Sequence, residues 1–297
     1  MQSLTSVLRN GVARFALACV VAFGVRQRLT ALVMSGLLFT SPALAQFNFA
    51  NFSGASGSLY LNGNAAIDGA RLRLVQNSRD QRGSAYYFQK QRLNLSGGWT
   101  TTFQFQITDL GNTGADGFTF IIQDAGTNAL GAKGLDIGYG DYLAGGGIPR
   151  SLVVEFDTWH NRERDMNDPD GNHVAVHTRW QLPNKSTSDA RLGVATVGFN
   201  MEDGQVHTAQ ITYNGAGQLS IVLDNVPTLT VSFNHSDYLS ILDNDGYGWV
   251  GFTAGTATAW ENIYILSWSF QPVPEPASLM ALGAGLAGLL KLRRRKR

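Results

Sequence analysis

Between Phe47 and Phe270 the chain alternates apolar and polar residues in short runs, separated by clusters of Gly, Asn and Asp. In Thr101-Thr102-Phe103-Gln104-Phe105-Gln106-Ile107 every second side chain is apolar, which is the period of a half-buried strand. Gly117 to Ile122, Leu152 to Thr158, His173 to Thr178, His207 to Tyr213 and Leu219 to Leu223 behave similarly. Asn214-Gly215 and Asp224-Asn225 fall between runs, and residues that tolerate positive φ there favour hairpin turns. No amphipathic helix is expected in this span. Many short strands punctuated by turns predict an all-β fold, a sandwich of two antiparallel sheets, with ample chain for one large core.

The two ends differ from this body. Arg26 and Arg28 precede an apolar run from Leu29 to Phe39, and Ala43-Leu44-Ala45 forms an A-x-A cleavage pattern, with Gln46 as the first mature residue. Residues 1–45 therefore read as an export leader. At the other end Pro274-Glu275-Pro276 precedes the apolar segment Ala277 to Leu290, and Lys291 to Arg297 is a basic cluster. That cluster holds the extreme C-terminus on the cytoplasmic side of a membrane and leaves the body outside. The order Pro-Glu-Pro, short apolar helix, basic tail closely resembles the PEP-CTERM sorting signal of Gram-negative bacteria. The resemblance implies handling by an exosortase-type membrane enzyme, transient anchoring by the C-terminal helix, and a final place in the cell envelope or outside the cell. The expected organisation is a leader over 1–45, a sandwich over 46–271 and a sorting segment over 272–297.

Charge sharpens the picture. The whole chain carries 23 Lys and Arg against 22 Asp and Glu, but ten of the basic residues lie in 1–45 and 277–297. The middle segment keeps 13 basic against 22 acidic residues, about −9. A nucleic-acid-binding body is excluded on that balance, because phosphate binding needs positive surface. The same balance favours a neutral or basic glycan over an acidic one as far as net charge decides. The single cysteine, Cys19, lies in the leader, so the body forms no internal disulfide.

The stretch richest in chemistry runs from Val153 to His173. Glu155 and Asp157 are two apart on a predicted strand, so both carboxylates project from one face and repel unless a cation lies between them. The loop that follows supplies Asn161, Asp165, Asn167, Asp168 and Asp170, and His173 opens the next strand with an imidazole. Carboxylates and amide oxygens suit Ca2+, and carboxylates with one imidazole suit Mn2+ or another transition-metal ion. Pro169 breaks any EF-hand spacing.

Here the chain resembles a legume-type (L-type) lectin over nearly the whole body. The family's metal motif, Glu-x-Asp-x-aromatic-x-Asn, a loop, then Asp-x-x-x-x-His, is filled by Glu155, Asp157, Trp159, Asn161, Asp168 and His173. The resemblance implies a concanavalin-like jelly roll in which Glu155, Asp157, Asp168 and His173 hold the transition metal. Ca2+ would be held by Asp157, the Trp159 carbonyl, Asn161 and Asp168. The loop between Asn161 and Asp168 is longer than in many plant members, which leaves Asp165 or Asp170 open in place of Asp168.

Other segments match in the family's order. Ala115-Asp116-Gly117 resembles its Ala-Asp-Gly motif, whose Asp accepts hydrogen bonds from sugar hydroxyls and follows a cis peptide bond. Gly83 to Tyr87, Trp249 to Ala254 and Ile265 to Phe270 resemble its strands. By this resemblance Asp116 and Asn161 would meet adjacent hydroxyls. A backbone N–H of Gly146, in the Gly145-Gly146-Gly147 loop, would complete the set, and Trp159 would offer an aromatic platform, with His160 or Trp260 as alternatives. Thr258 and Ala259 fall in the family's specificity loop. The expected partner is a glycan or exopolysaccharide, and pairing of two copies through the rear sheet stays open.

Two rival classes remain. A non-binding matrix protein would keep the same sandwich. A jelly-roll glycoside hydrolase would need a second catalytic acid on the strand, as in Glu-x-Asp-x-x-Glu, and His160 stands at that position. With no nucleophile motif either, the chain is expected not to be an enzyme. His177 and His207 are expected to be ordinary strand residues.

Overall fold

The computed structural model describes residues 47–162 and 165–273. The expected leader over 1–45, and all but the first two residues of the sorting segment over 272–297, lie outside the described residues. Among those described, no helix is long and apolar enough to cross a membrane.

Two antiparallel sheets face each other. In spatial order the first runs Val226–Ser232, Gln218–Leu223, His207–Tyr213, Trp99–Gly111, Trp260–Pro272, Arg71–Val75 and Ala66–Asp68. Phe47–Phe49 pairs with the far end of Trp260–Pro272. The second sheet runs Arg191–Thr196, His173–Thr178, Ser151–Asp157, Gly117–Gln123, Tyr247–Gly255, Arg82–Tyr87 and Leu59–Gly63, with Gln91–Arg92 beside the start of Tyr247–Gly255. Every strand run expected from the alternation is present.

The core forms between the inward sides of the two sheets. From the first sheet Phe103, Phe105 and Ile107 are buried, and the even-numbered neighbours Gln104 and Gln106 are not. From the second, Phe118, Phe120, Ile122, Leu152, Val154, Phe156, Val174, Val176 and Phe252 meet them. The Phe118 and Phe156 rings stack with centroids 4.6 Å apart, and Phe103 meets Phe252 edge-on at 5.0 Å.

The second sheet differs from the first in being covered on both faces. All seven residues of Gly117–Gln123 and of Ser151–Asp157 are buried. Its outer face carries a smaller cluster of Tyr86, Ile121 and Val153 under Ile137, Tyr139 and Ile148, which come from the long segment between two of its strands. A strand covered on both faces loses the simple alternation, which is why Leu152-Val153-Val154 reads as a continuous apolar run. The expected absence of helix needs a correction. His235–Leu239 forms one α-turn, too short to display a 3.6-residue period, and it buries Tyr238. Trp99 Nε1 donates to the Tyr238 hydroxyl at 2.9 Å.

Candidate functional site

Strand parity decides which side chains meet on the outer face. On Ser151–Asp157 the core takes Leu152, Val154 and Phe156, so Glu155 and Asp157 point the other way. The neighbouring strand pairs His173 with Asp157 and Ala175 with Glu155, which sets the imidazole beside the Asp157 carboxylate. On the other flank Gly117 pairs with Asp157. A Cβ on Gly117 would lie 2.2 Å from the Phe156 carbonyl oxygen, and its φ is +122°, so only glycine lets the strands approach there.

The loop after Asp157 returns Asp168 to the same spot. Asp157, Asp168 and His173 each offer a ligand atom, and these atoms all lie within 4.8 Å of one another. Asn161 N–H donates to Asp168 Oδ2 at 2.9 Å, and Trp159 N–H donates to Asp157 Oδ1 at 2.7 Å. His173 Nδ1 lies 2.9 Å from the Asp170 carbonyl. A carbonyl only accepts, so in the neutral ring Nδ1 carries the proton and Nε2 keeps its lone pair, 3.7 Å from Asp168 Oδ1. Of the three loop acids left open by the sequence, Asp168 is the one in the cluster. Asp165 is exposed, and Asp170 Oδ1 accepts from the Asn172 N–H.

Burial raises the pKa of Asp157 well above the carboxylate range, and the charges of Glu155, Asp168 and Asp116 raise it further. Burial also raises Asp168, although His173 and Arg191 pull the other way. Among the described residues Arg191 Nη1, 3.5 Å from Asp168 Oδ1, is the nearest fixed cation. Buried carboxylates short of positive charge, with an imidazole lone pair turned toward them, form a donor set suited to a divalent metal ion.

Glu155 departs from expectation. It shares the outer face with Asp157, but it is not one of the three clustered groups. Its Oε2 accepts from His177 Nε2 at 2.9 Å and from the Tyr139 hydroxyl at 3.3 Å. The like charge of Asp157 favours this turn toward donors on the other side. His177 is therefore no ordinary strand residue: it is 1% exposed and paired with a buried carboxylate. His207 likewise bonds two acids, Asp224 Oδ2 at 2.7 Å and Asp203 Oδ1 at 3.0 Å.

Beside the acidic cluster opens a pocket of about 500 Å³. It brings together Asp116, Trp159, Asn161, Thr258 and Ala259, five of the residues expected there, with His160, the alternative platform, and adds Ala115, Leu135, Arg162 and Ala257. The Ala115–Asp116 peptide is cis. Asp116 N–H donates to the Gly255 carbonyl, and the Asp116 carbonyl accepts from Thr158 N–H, both at 3.1 Å. These bonds tie the pocket's acid to the end of the Asp157 strand and to the 255–261 turn. Asp116 is 5% exposed, and its buried Oδ2 has no hydrogen-bond partner among the described residues. Burial, then the charge of Asp136, pushes its pKa up to about 7.

Gly146 is not in this pocket. It is exposed and its N–H donates to Asp141 Oδ2 at 3.2 Å, because Asp141 gathers the 144–146 turn around its own carboxylate. The glycine next to Asp116 is Gly134, at φ +67°, which precedes Leu135. Trp260 lies outside the pocket as well, with the Arg79 guanidinium 4.9 Å above its ring.

The sequence reading gave no role to two buried acids. Asp136 accepts from Tyr142 N–H at 2.9 Å and from Ser186 Oγ at 3.0 Å, and so organises the 134–142 loop. Glu261 is fully buried, and its Oε1 accepts from Thr158 Oγ1 at 3.1 Å. No spacing rule marks either one, since their partners come from elsewhere in the chain.

Comparison with known proteins agrees with this arrangement. The sequence model of the legume lectin domain matches residues 44–282, and that of the PEP-CTERM protein-sorting motif matches residues 272–296. A lectin of Leucomphalos mildbraedii is 28% identical over 244 residues, 76% of this chain and 94% of that protein. Among solved structures, the lectin from Bauhinia forficata in complex with GalNAc superposes with a TM-score of 0.62 at 22% identity, over 77% of this chain and 98% of that one. Winged bean acidic lectin complexed with methyl-alpha-D-galactose gives 0.58 at 26% identity, over 76% and 97%.

Proposed function

The chain belongs to the legume lectin family, and from that premise we propose that it is a metal-dependent lectin whose Asp116 pocket binds a saccharide of the cell envelope or extracellular matrix. The family is one of carbohydrate-binding proteins rather than enzymes, and the sorting motif implies export and recognition by an exosortase. The partner we assign is an exopolysaccharide met after the 1–45 leader and the 272–297 segment have directed export.

The observation that carries this reading is Asp116 itself. A buried carboxylate with an unpartnered oxygen opens into a pocket, and such a group is costly unless a donor reaches it. Adjacent sugar hydroxyls are donors of the right kind. Asn161 adds an amide that both donates and accepts, Trp159 faces the apolar side of a sugar ring, and Thr258 and Ala259 border the far side.

Asp157, Asp168 and His173 would hold a transition-metal ion such as Mn2+, with Glu155 adding the oxygen not committed to Tyr139 and His177. Asp157, the Trp159 carbonyl, Asn161 and Asp168 would hold Ca2+. Such ions would supply positive charge that offsets the crowded carboxylates. The chain's own bonds then keep the pocket in shape: Thr158 N–H on the Asp116 carbonyl, and Asn161 N–H on Asp168.

The test is a glycan array probed with the full chain, with and without EDTA, together with Asp116→Ala. Two charge-assisted hydrogen bonds at ~1.5 kcal/mol or more each correspond to a loss of about 100-fold or greater in affinity. Binding that chelator removes and Asp116→Ala abolishes is the expected result. Metal uptake with no binding to any glycan would instead favour the matrix-protein reading.

A further inference from the structure

The pocket contains one exposed cation, Arg162, and its surroundings define what that cation is free to do. His160 Nε2 lies 3.1 Å from the Asp168 carbonyl, so Nε2 carries the ring proton and Nδ1 is a lone pair. Arg162 Nε–H donates to that Nδ1 at 3.2 Å. The relay from Arg162 through His160 to the backbone of Asp168 uses one edge of the guanidinium only. Among the described residues no carboxylate lies within 4.0 Å of Arg162, and its two terminal nitrogens meet no protein acceptor.

Most other cations of the body are already paired. Arg71 and Arg73 meet Asp68, Lys90 and Arg150 meet Asp124, Lys133 meets Asp80, and Arg191 meets Asp168. In a middle segment with nine excess acids, a guanidinium with no acid beside it among the described residues stands out at the mouth of a pocket. Asp116, the acid in the pocket, is 5% exposed and lies beneath the opening, whereas Arg162 is exposed at it. A ligand arriving from solvent meets the positive charge first. On the 257–259 side Arg79 lies over Trp260, next to Asp80, whose N–H donates to the Ala257 carbonyl. Among the described residues that line the pocket, Arg162 is the one basic side chain.

Resting on the lectin reading above, we propose that the pocket selects an acidic saccharide, a hexuronate residue whose carboxylate is gripped by the terminal nitrogens of Arg162 while its hydroxyls reach Asp116 and Asn161. A guanidinium fork matches a carboxylate in two parallel N–H to O bonds, and the His160 relay holds the fork in place before the ligand arrives. This reverses the preference for neutral or basic glycans that net charge alone implies, because a charge within a few ångströms of the ligand outweighs the sum over the whole body.

The test compares the full chain, supplied with Ca2+ and Mn2+, on matched pairs: oligogalacturonate against oligogalactose, and oligoglucuronate against oligoglucose. A sulfated oligogalactose is included. The expected result is a preference of roughly tenfold for the uronate over its neutral match, weakening toward unity in ~0.5 M salt as screening takes hold. In Arg162→Ala the ratio of the two affinities falls to about one, and in Arg162→Glu it inverts. Chelator-sensitive binding without any preference for the uronate overturns this proposal and leaves the lectin reading standing. Stronger binding of the sulfated sugar overturns the carboxylate assignment. Failure of the metal-supplied protein to bind any member overturns this proposal, and the lectin reading falls with it only if the glycan array is silent as well.

Discussion

Glu202 and Glu261 illustrate how much a single buried contact decides. Each has an oxygen buried without a conventional donor, Glu202 Oε1 and Glu261 Oε2, and a Cβ built on Gly114 would approach both carboxyls. Two carboxyl groups that face each other in a dry site are accommodated by a shared proton. Burial raises both pKa values, and the charges of Glu202 and Asp116 raise Glu261 further. The folded state therefore keeps a proton that the unfolded chain releases above about pH 4.5. Stability falls as pH rises from there toward the folded-state pKa. Replacing Glu202 by Gln supplies a neutral donor in place of the proton. Glu202→Gln is expected to melt higher than the parent at pH 8 by roughly 1–3 kcal/mol of stability, with the gap closing near pH 5. Parallel melting curves across that range would contradict the shared-proton account. Neither this pair nor the Glu155–His177–Tyr139 contact is legible in sequence, because Glu202 is far from Glu261 in the chain, and Tyr139 is carried by an irregular segment.

At the scale of elements, the alternation that reveals Trp99–Gly111 exists because one side of that strand packs on the core and the other does not. Gly117–Gln123 and Ser151–Asp157 are covered on both sides, and there the apolar positions run together. The pairing His173 with Asp157 still follows from a motif, since the residues are 16 apart and joined by one hairpin-like excursion. Phe156 anchors that strand by stacking on Phe118 at 4.6 Å and meeting Phe103 and Phe105, both at 5.7 Å. Phe156→Ala is expected to cost about 3–5 kcal/mol, and Gln104→Ala, on an exposed position, to stay within ~0.5 kcal/mol. Urea titration of both variants measures the contrast, and equal midpoints would refute the packing described. The single helical turn at His235–Leu239 eluded the sequence reading for the opposite reason: five residues are fewer than two turns, so no period can appear.

For the molecule as a whole, Glu155, Asp157, Asp168 and Asp116 concentrate negative charge where the second sheet meets its loops. An ion that binds the folded state alone adds its binding energy to stability, about 2.7 kcal/mol at a hundredfold excess over Kd. In a domain of this size that corresponds to roughly 5–10 °C in melting temperature. Calorimetry with Ca2+ and Mn2+ and then with EDTA is expected to reveal such a drop, and Asp157→Ala to melt low with no response to either. A melting curve indifferent to chelation would overturn the metal centre.

The one-dimensional pattern determined what depends on neighbours along the chain. Strand runs follow from period, turns from Gly and Asn, and the grouping of Asp157, Asp168 and His173 from a motif whose parts lie within one strand, one loop and the next strand. The tertiary structure alone decided which glycine stands beside Asp116, since Gly134 and not Gly146 comes to that wall, and which cation reaches the mouth with no acid beside it among the described residues. Such outcomes turn on distances between segments far apart in the chain, and those distances are set only when the two sheets and their covering loops close together.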